Sequence, residues 1–293
     1  MANIYKGNNI FFLGKWYGPR NIQPIIAIHG RQDNCGTFDK LAPILAKQRF
    51  TLFCIDLPGH GLSSPYPEGL IYNHWYDGVY VIRRLVKFYN WTNIIILGHS
   101  SGGGIAFLYA AIYPNDIAKY ISIDNCCPSI KSPLKILPLA ASNIDTLFDY
   151  EKGYEEDISG SYQEILTSMM ETYSETLDKE GCEILLRRGI KFCHGKDCYS
   201  LTRDPRLKID ALTWFTMDKI LDFASMIKCE ILNIRADRGM QLDPPENYDI
   251  ILDAIEGSQT ERIVRVFVDG THYVHLIHPE VIASIIINFL NSQ

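Results

Sequence analysis

One five-residue stretch constrains the fold more than any other part of the chain. Gly98-His99-Ser100-Ser101-Gly102 directly follows the apolar run Ile94-Ile95-Ile96-Leu97 and directly precedes a helix-forming stretch, Gly103 to Ile112. A backbone that passes from strand to helix in so few residues turns so tightly that side chains at the flanking positions would clash, which is why glycines stand there. The turn leaves Ser100 exposed at the C-terminal end of a strand. The helix that follows contributes the positive end of its dipole and unpaired N–H groups where an oxyanion would form. The spacing predicts a nucleophilic serine.

Around this elbow the chain has a regular rhythm. Short apolar runs occur at Ile25 to Ile28, Thr51 to Ile55, Asn93 to Leu97, Tyr120 to Ile123, Ile231 to Ile234 and Ile263 to Val268, with helical patterns at 37–47, 73–89, 102–112, 245–255 and 279–291. Near-continuous apolar strands alternating with helices predict a mostly parallel, doubly wound α/β sheet covered on both faces. The 293 residues are 47% apolar and 21% charged, enough to bury a large core and to exclude disorder as the main state.

The rhythm breaks between about 128 and 228, where no convincing strand is found and Pro128, Pro133 and Pro138 interrupt short apolar stretches. Ser161 and Glu164 have capping-box spacing, and Tyr162, Ile165, Leu166, Met169, Met170 and Tyr173 recur at helical spacing, giving an apolar stripe that must face the main body or a pocket. The expected organisation is therefore a core of residues 1–127 and 229–293 with a helical cap, 128–228, inserted into it.

The net charge is −6, but residues 145–183 hold twelve acidic residues against two lysines, which is −10, so the remainder is +4. Two readings follow for this acidic stretch: a solvated outer helix face, or an acidic cap that disfavours anionic substrates. Arg187, Arg188, Lys191, Lys196, Arg203, Arg206 and Lys208 reverse the sign in the second half of the insertion. An acidic chain argues against nucleic acid as a partner.

The eight cysteines include no Cys-x-x-Cys pair, and Cys193-His194 with Cys198 lacks the second half of a zinc site, so no metal site is expected. Buried thiols in a reducing, cytoplasmic setting are the expectation. The apolar stretch Ile10 to Leu13 is too short for a signal sequence, and no run reaches the ~20 residues of a membrane span, so no stable membrane insertion is expected. Oligomeric state leaves no mark on the sequence.

A serine hydroxyl is a weak nucleophile at neutral pH and needs a base, whose imidazolium in turn needs a carboxylate. In the chain order serine, acid, histidine, the base falls after the last strand, where Asp269-Gly270-Thr271-His272 follows Val266-Phe267-Val268. His272 is the predicted base, and His275 and His278, nearer the terminal helix, are read as structural. The first apolar run ends at His29-Gly30-Arg31; the backbone N–H groups of Arg31 and Ser101 are the predicted oxyanion donors, with His29 bracing the loop. Asp56-Leu57-Pro58-Gly59-His60-Gly61-Leu62-Ser63 is read as a structural turn beside the site, since it lacks the Lys-Ser/Thr ending of a phosphate loop.

His29-Gly30, the Asp56 to Ser63 turn, the Gly98 to Gly102 elbow and Gly270-Thr271-His272 stand in the order of the α/β-hydrolase fold, which the chain resembles over nearly its whole length. More narrowly, Asp33-Asn34 with Thr37-Phe38-Asp39, and Leu201-Thr202-Arg203-Asp204-Pro205-Arg206, resemble the serine hydrolase-like family that includes the insect Kraken proteins. The resemblance implies a capped serine hydrolase without a cofactor, the cap following strand 6 in that fold's numbering.

Two departures stand out. Arg31 replaces the family's tryptophan after His-Gly, and the acid position after the seventh strand falls on Gly239. Asp124, at the end of the Tyr120 to Ile123 run, is the first alternative; Asp237 is the second, and Asp243 a third if the loop bends. The expected reaction is cleavage of a carboxylic ester or related acyl compound with a medium-sized apolar group. The alternative, prompted by the irregular acid, is a hydrolase-fold ligand receptor or pseudoenzyme with little turnover. Epoxide opening and dehalogenation call for an aspartate nucleophile where Ser100 stands.

Overall fold

The computed structural model describes residues 2–6, 11–70, 72–152, 159–195, 197–209, 213–242 and 244–292. Its strands are β1 (Ala2–Lys6), β2 (Phe11–Tyr17), β3 (Ile25–Ile28), β4 (Leu52–Ile55), β5 (Ile94–His99), β6 (Ile117–Ile123), β7 (Ser159–Gly160), β8 (Ile190–Cys193), β9 (Cys198–Leu201), β10 (Glu230–Arg238) and β11 (Ile263–Thr271). The α-helices are α1 (Leu41–Lys47), α2 (His74–Tyr89), α3 (Ser101–Ile112), α4 (Pro133–Glu151), α5 (Tyr162–Thr172), α6 (Lys179–Gly189), α7 (Met217–Ala224), α8 (Asn247–Glu256), α9 (Val274–Ile277) and α10 (Pro279–Asn291).

Eight strands form one sheet in the order β1-β2-β4-β3-β5-β6-β10-β11. From β4 to β11 all pairings are parallel, while β1 and β2 add an antiparallel edge that the apolar runs did not announce. One sheet face packs against α2, α3, α7 and α8 through residues such as Trp75, Phe107, Ile220 and Ile251. The other packs against α1 and α10 through Leu41, Leu45, Ile282 and Ile286. This is the doubly wound α/β sheet expected. Registers Ile28 to Gly98, Gly98 to Ser122 and Ile123 to Ile234 bring the C-terminal ends of β3, β5, β6 and β10 to one edge, where ligands bind in such sheets.

Between β6 and β10 the chain leaves the sheet. It is not wholly helical there, because β7, β9 and β8 form a small antiparallel sheet. β8 and β9 are a hairpin of four-residue strands whose turn includes Gly195 at φ +95°, a conformation that favours glycine. The capping box of Ser161 and Glu164 opens α5 as expected. Ile165 and Leu166 bury against Leu185 and Leu186 of α6 and against Tyr273 and Leu276, so the stripe covers the stretch that follows His272. Tyr162 and Met170 lie off that contact and are exposed.

The insertion is also pinned by charge. Asp56 and Arg188 are both buried, and the carboxylate accepts from the guanidinium Nε at 3.0 Å and from Nη2, from Cys35 N at 2.8 Å and from Leu62 N at 2.9 Å. Burial by itself would raise this carboxyl; Arg188 outweighs it and holds it below the usual carboxylate range. The Asp56 to Ser63 turn is thus structural, as read. Removing one partner of a buried pair leaves an uncompensated charge, at a cost of about 3–5 kcal/mol. Arg188→Met is expected to lower the urea midpoint accordingly at pH 7. Because the folded-state pKa of Asp56 is depressed, its stabilisation is present at neutral pH and lost as pH falls through that value. The gap between variant and wild type should therefore close on acidification.

Among the described residues no helix is long and apolar enough to cross a membrane. All eight cysteines are free thiols, and six of them are buried.

Candidate active site

The elbow has the strain its sequence predicts. Ser100 sits at φ 54°, ψ −124°, outside the regions L-residues favour, between β5 and α3. A Cβ at Gly98 would lie 2.3 Å from the Gly102 carbonyl, and one at Gly102 would lie 2.2 Å from Ile28 O. Backbone in such a conformation costs about 1–3 kcal/mol and persists only where its surroundings over-determine it. Here Ser100 N donates to Ile123 O at 2.9 Å, and Ser100 O accepts from Gly103 N at 2.9 Å and from Asn125 Nδ2 at 3.0 Å.

Asp124 and His272 come together. His272 Nδ1 lies 2.6 Å from Asp124 Oδ2, and the carboxylate is fully buried. Asp124 Oδ1 accepts from Ala236 N at 3.0 Å and Oδ2 from Met240 N at 2.7 Å, while Asp124 N donates to Ile234 O at 2.7 Å. Two N–H groups on the carboxylate, and a backbone bond from Asp124 N to β10, aim this carboxylate at the imidazole.

Gly239 explains why the acid is displaced. A Cβ there would lie 2.0 Å from Asp124 Oδ1 and 2.3 Å from Oδ2, so the missing side chain is the space the Asp124 carboxylate fills. Asp237 points elsewhere: half-exposed, it accepts from Gly270 N at 2.8 Å and lies beside Arg238. Asp243 lies outside the described residues.

The His272 loop is fastened from two sides. His99 Nε2 donates to His272 O at 2.9 Å, so the residue before the serine holds the backbone of the histidine. Burial, then the neighbouring His275 and His272, keep the His99 imidazole neutral. From the insertion, Thr176 O accepts from Thr271 Oγ1 at 2.7 Å. His275 is buried with Nε2 2.8 Å from Thr37 Oγ1, a structural placement as expected, and His278 directly precedes α10. His29 braces its loop: Nδ1 donates to Gly30 O at 2.7 Å and Nε2 accepts from Leu57 N at 3.0 Å.

Ser100, Ser101 and Arg31 line one cavity of about 250 Å³, walled by Trp75, Ile136, Leu139, Trp214 and Met240. Ser101 is the first residue of α3, where helix N–H groups have no intrahelical partner, and Arg31 follows Gly30 beyond β3. Both residues expected to supply the oxyanion N–H groups therefore line the cavity that Ser100 lines.

Three supports escaped the sequence reading. Asn125 ties the elbow to the end of β6. Asn233 donates from Nδ2 to Ser122 Oγ at 2.7 Å and to Asn125 O at 3.2 Å, and His99 anchors the His272 loop. The available signal was Asn233, a polar residue inside Ile231 to Ile234.

Comparison with known proteins bears on the family and the fold. Residues 23–160 match the family described as alpha/beta hydrolase fold. A probable serine hydrolase of Drosophila melanogaster is 40% identical over 278 residues, covering 94% of this chain and 83% of that protein. A human serine hydrolase-like protein 2 is 30% identical over 287 residues, 94% of this chain and 89% of its own. Among solved structures, a hypothetical protein from Pseudomonas aeruginosa PAO1 superposes with a TM-score of 0.84 at 23% identity, covering 98% of each chain.

Proposed function

The chain belongs to the serine hydrolase-like family of α/β-hydrolases, and from that premise we propose that it cleaves carboxylic esters or related acyl compounds through an acyl-enzyme on Ser100. The observation that carries the reading is the hydrogen bond of 2.6 Å between His272 and the buried Asp124, on the same sheet edge as the strained serine.

In this reading the Ser100 hydroxyl attacks the substrate carbonyl as His272 Nε2 takes its proton. Asp124 fixes the tautomer with the proton on Nδ1 and stabilises the imidazolium. The negative charge that develops on the carbonyl oxygen is met by the N–H groups of Arg31 and Ser101, aided by the N-terminus of α3. The imidazolium then gives its proton to the departing alcohol. Water repeats the sequence on the acyl-enzyme, releasing the acid and restoring Ser100. The inserted segment acts as a cap: Ile136 and Leu139 of α4 and Trp214 give the cavity an apolar wall suited to a medium-sized acyl or alcohol group.

A fluorophosphonate probe tests the assignment. Wild type is expected to be labelled on Ser100, located by mass spectrometry of the peptides, and Ser100→Ala to stay unlabelled. Equal labelling of the two proteins would reject Ser100 as the nucleophile.

A further inference from the structure

One motif of the sequence, Cys193-His194 with Cys198, has no part in the chemistry at Ser100. In the fold its two cysteines stand directly opposite each other, as the pair that closes the β8–β9 hairpin of the insertion. We propose that Cys193 and Cys198 are a site of reversible disulfide formation, with a small-molecule disulfide of the glutathione type as the oxidant.

Three features of the hairpin support this. The first is reach. Thr202 N donates to Gly189 O at 2.9 Å and the ladder runs on from there without a register shift, so by alternation Cys193 and Cys198 form a hydrogen-bonded pair. Cα atoms in such a pair lie about 5.5 Å apart, within the roughly 4.4–6.8 Å that a disulfide spans. The second is direction. Opposed residues share one face of a ladder, and Ser200, two residues beyond Cys198, lies on that face too. The Cys193 thiol donates across the strands to Ser200 Oγ at 3.1 Å, so it already leans over β9 on the face that Cys198 shares. A thiol is a weak donor, and little is lost when that bond is given up.

The third feature is access. Cys193 and Cys198 are partly exposed, whereas the other six cysteines are buried. Burial pushes the thiols of Cys35, Cys54, Cys126 and Cys229 up, which keeps them protonated and slow to react. The two accessible thiols of the chain are therefore the two that face each other.

In the reaction, the thiolate of one cysteine attacks the S–S bond of oxidised glutathione and releases one glutathione thiolate, leaving a mixed disulfide. The thiolate of the second cysteine attacks the protein sulfur of that mixed disulfide and displaces the second glutathione. Two protein thiols are oxidised, one glutathione disulfide is reduced, and the two protons end on the released thiols. The base of the hairpin is fastened already, since Thr202 Oγ1 donates to Arg188 O at 2.8 Å and Arg188 pairs with Asp56. The new bond fixes the hairpin at its tip as well. Exposed bonds of this kind are the reducible ones.

The test uses the native full chain, equilibrated with oxidised glutathione, blocked with N-ethylmaleimide and digested with trypsin without reductant. Cleavage after Lys191, Lys196 and Arg203 places Cys193 in peptide 192–196 and Cys198 in peptide 197–203, so a bond between them joins two peptides. The expected product is that joined pair, lighter by two hydrogen atoms than the separate peptides, from protein that runs as a single chain in non-reducing electrophoresis. Labelling of both cysteines by N-ethylmaleimide should fall together, by about tenfold or more, and excess reduced glutathione should restore it. At least one of Cys193→Ser and Cys198→Ser is expected to keep glutathione on its remaining thiol, because the resolving partner is gone. Wild-type peptides that each carry glutathione, a cross-link between chains, or thiols that stay unmodified would overturn the proposal. So would a joined pair that reduced glutathione fails to open, or single variants that both stay without glutathione.

Discussion

Ser100→Ala and His272→Ala are each expected to lower kcat on an activated ester by roughly 10⁴- to 10⁶-fold, and the double variant by no more than the worse single one. The groups act as one unit: without the base the hydroxyl is not activated, and without the hydroxyl the base has nothing to deprotonate. Residual rate above the uncatalysed reaction should survive, since the Arg31 and Ser101 N–H groups do not depend on either side chain. Stopped-flow or steady-state release of 4-nitrophenol measures all three proteins. Losses that multiply in the double variant would mean that the two residues act independently. Stability should move the other way at one position. Ser100 is held at φ 54°, a strained conformation that alanine shares and glycine does not. Ser100→Gly is therefore expected to be inactive yet at least as resistant to urea as Ser100→Ala.

The elbow was legible because its cause is local: glycine is needed where a strand meets a helix within a few residues, and steric exclusion leaves the same mark in sequence as in space. Five helices, α1, α2, α3, α8 and α10, were legible from periodicity, 279–291 from end to end, because each covers one sheet face, whereas α7, which also packs on the sheet, and α4 and α6 of the insertion were not read. β1 and β2 were not, since an antiparallel edge lacks the continuous apolar run of a strand buried on both faces. β7, β8 and β9 are shorter still and pair only with each other. The acid illustrates a different limit. Asp124 and Asp237 both stand at strand ends, and what separates them is contact: Asp124 meets His272 Nδ1 while Asp237, inside the irregular register between Ala236 and Arg238, meets Gly270 N. Nothing in the order of residues announces that irregularity. Gly239 was legible as a gap in the usual acid position; that the gap is filled by a carboxylate from the neighbouring strand became visible only in three dimensions.

That complementarity between Asp124 and Gly239 yields the sharpest test of the acid. Asp124→Asn is expected to reduce kcat about 10⁴-fold, because the imidazole loses its productive tautomer, and to cost about 1–3 kcal/mol of stability, because an amide cannot accept from Ala236 N, Met240 N and His272 Nδ1 together. Asp237→Asn, whose carboxylate meets Gly270 N instead, should stay within a few-fold of wild type. Gly239→Ala places a Cβ 2.0 Å from Asp124 Oδ1, so the carboxylate must move; a displacement of about 1 Å from productive geometry costs roughly 100-fold. Exchanging the two positions inverts the effect. Asp124 sits at φ 53°, where glycine is at ease, so Asp124→Gly empties the space without straining the end of β6. Adding Gly239→Asp then puts a carboxylate into the vacated volume from the strand that carries the acid in the ordinary arrangement, and about 10- to 100-fold of the lost rate should return. Gly239→Asp alone should be worse than Gly239→Ala, since two carboxylates compete for the room of one. Recovery in the exchanged protein would show that the imidazole requires a carboxylate in that volume, whichever strand delivers it.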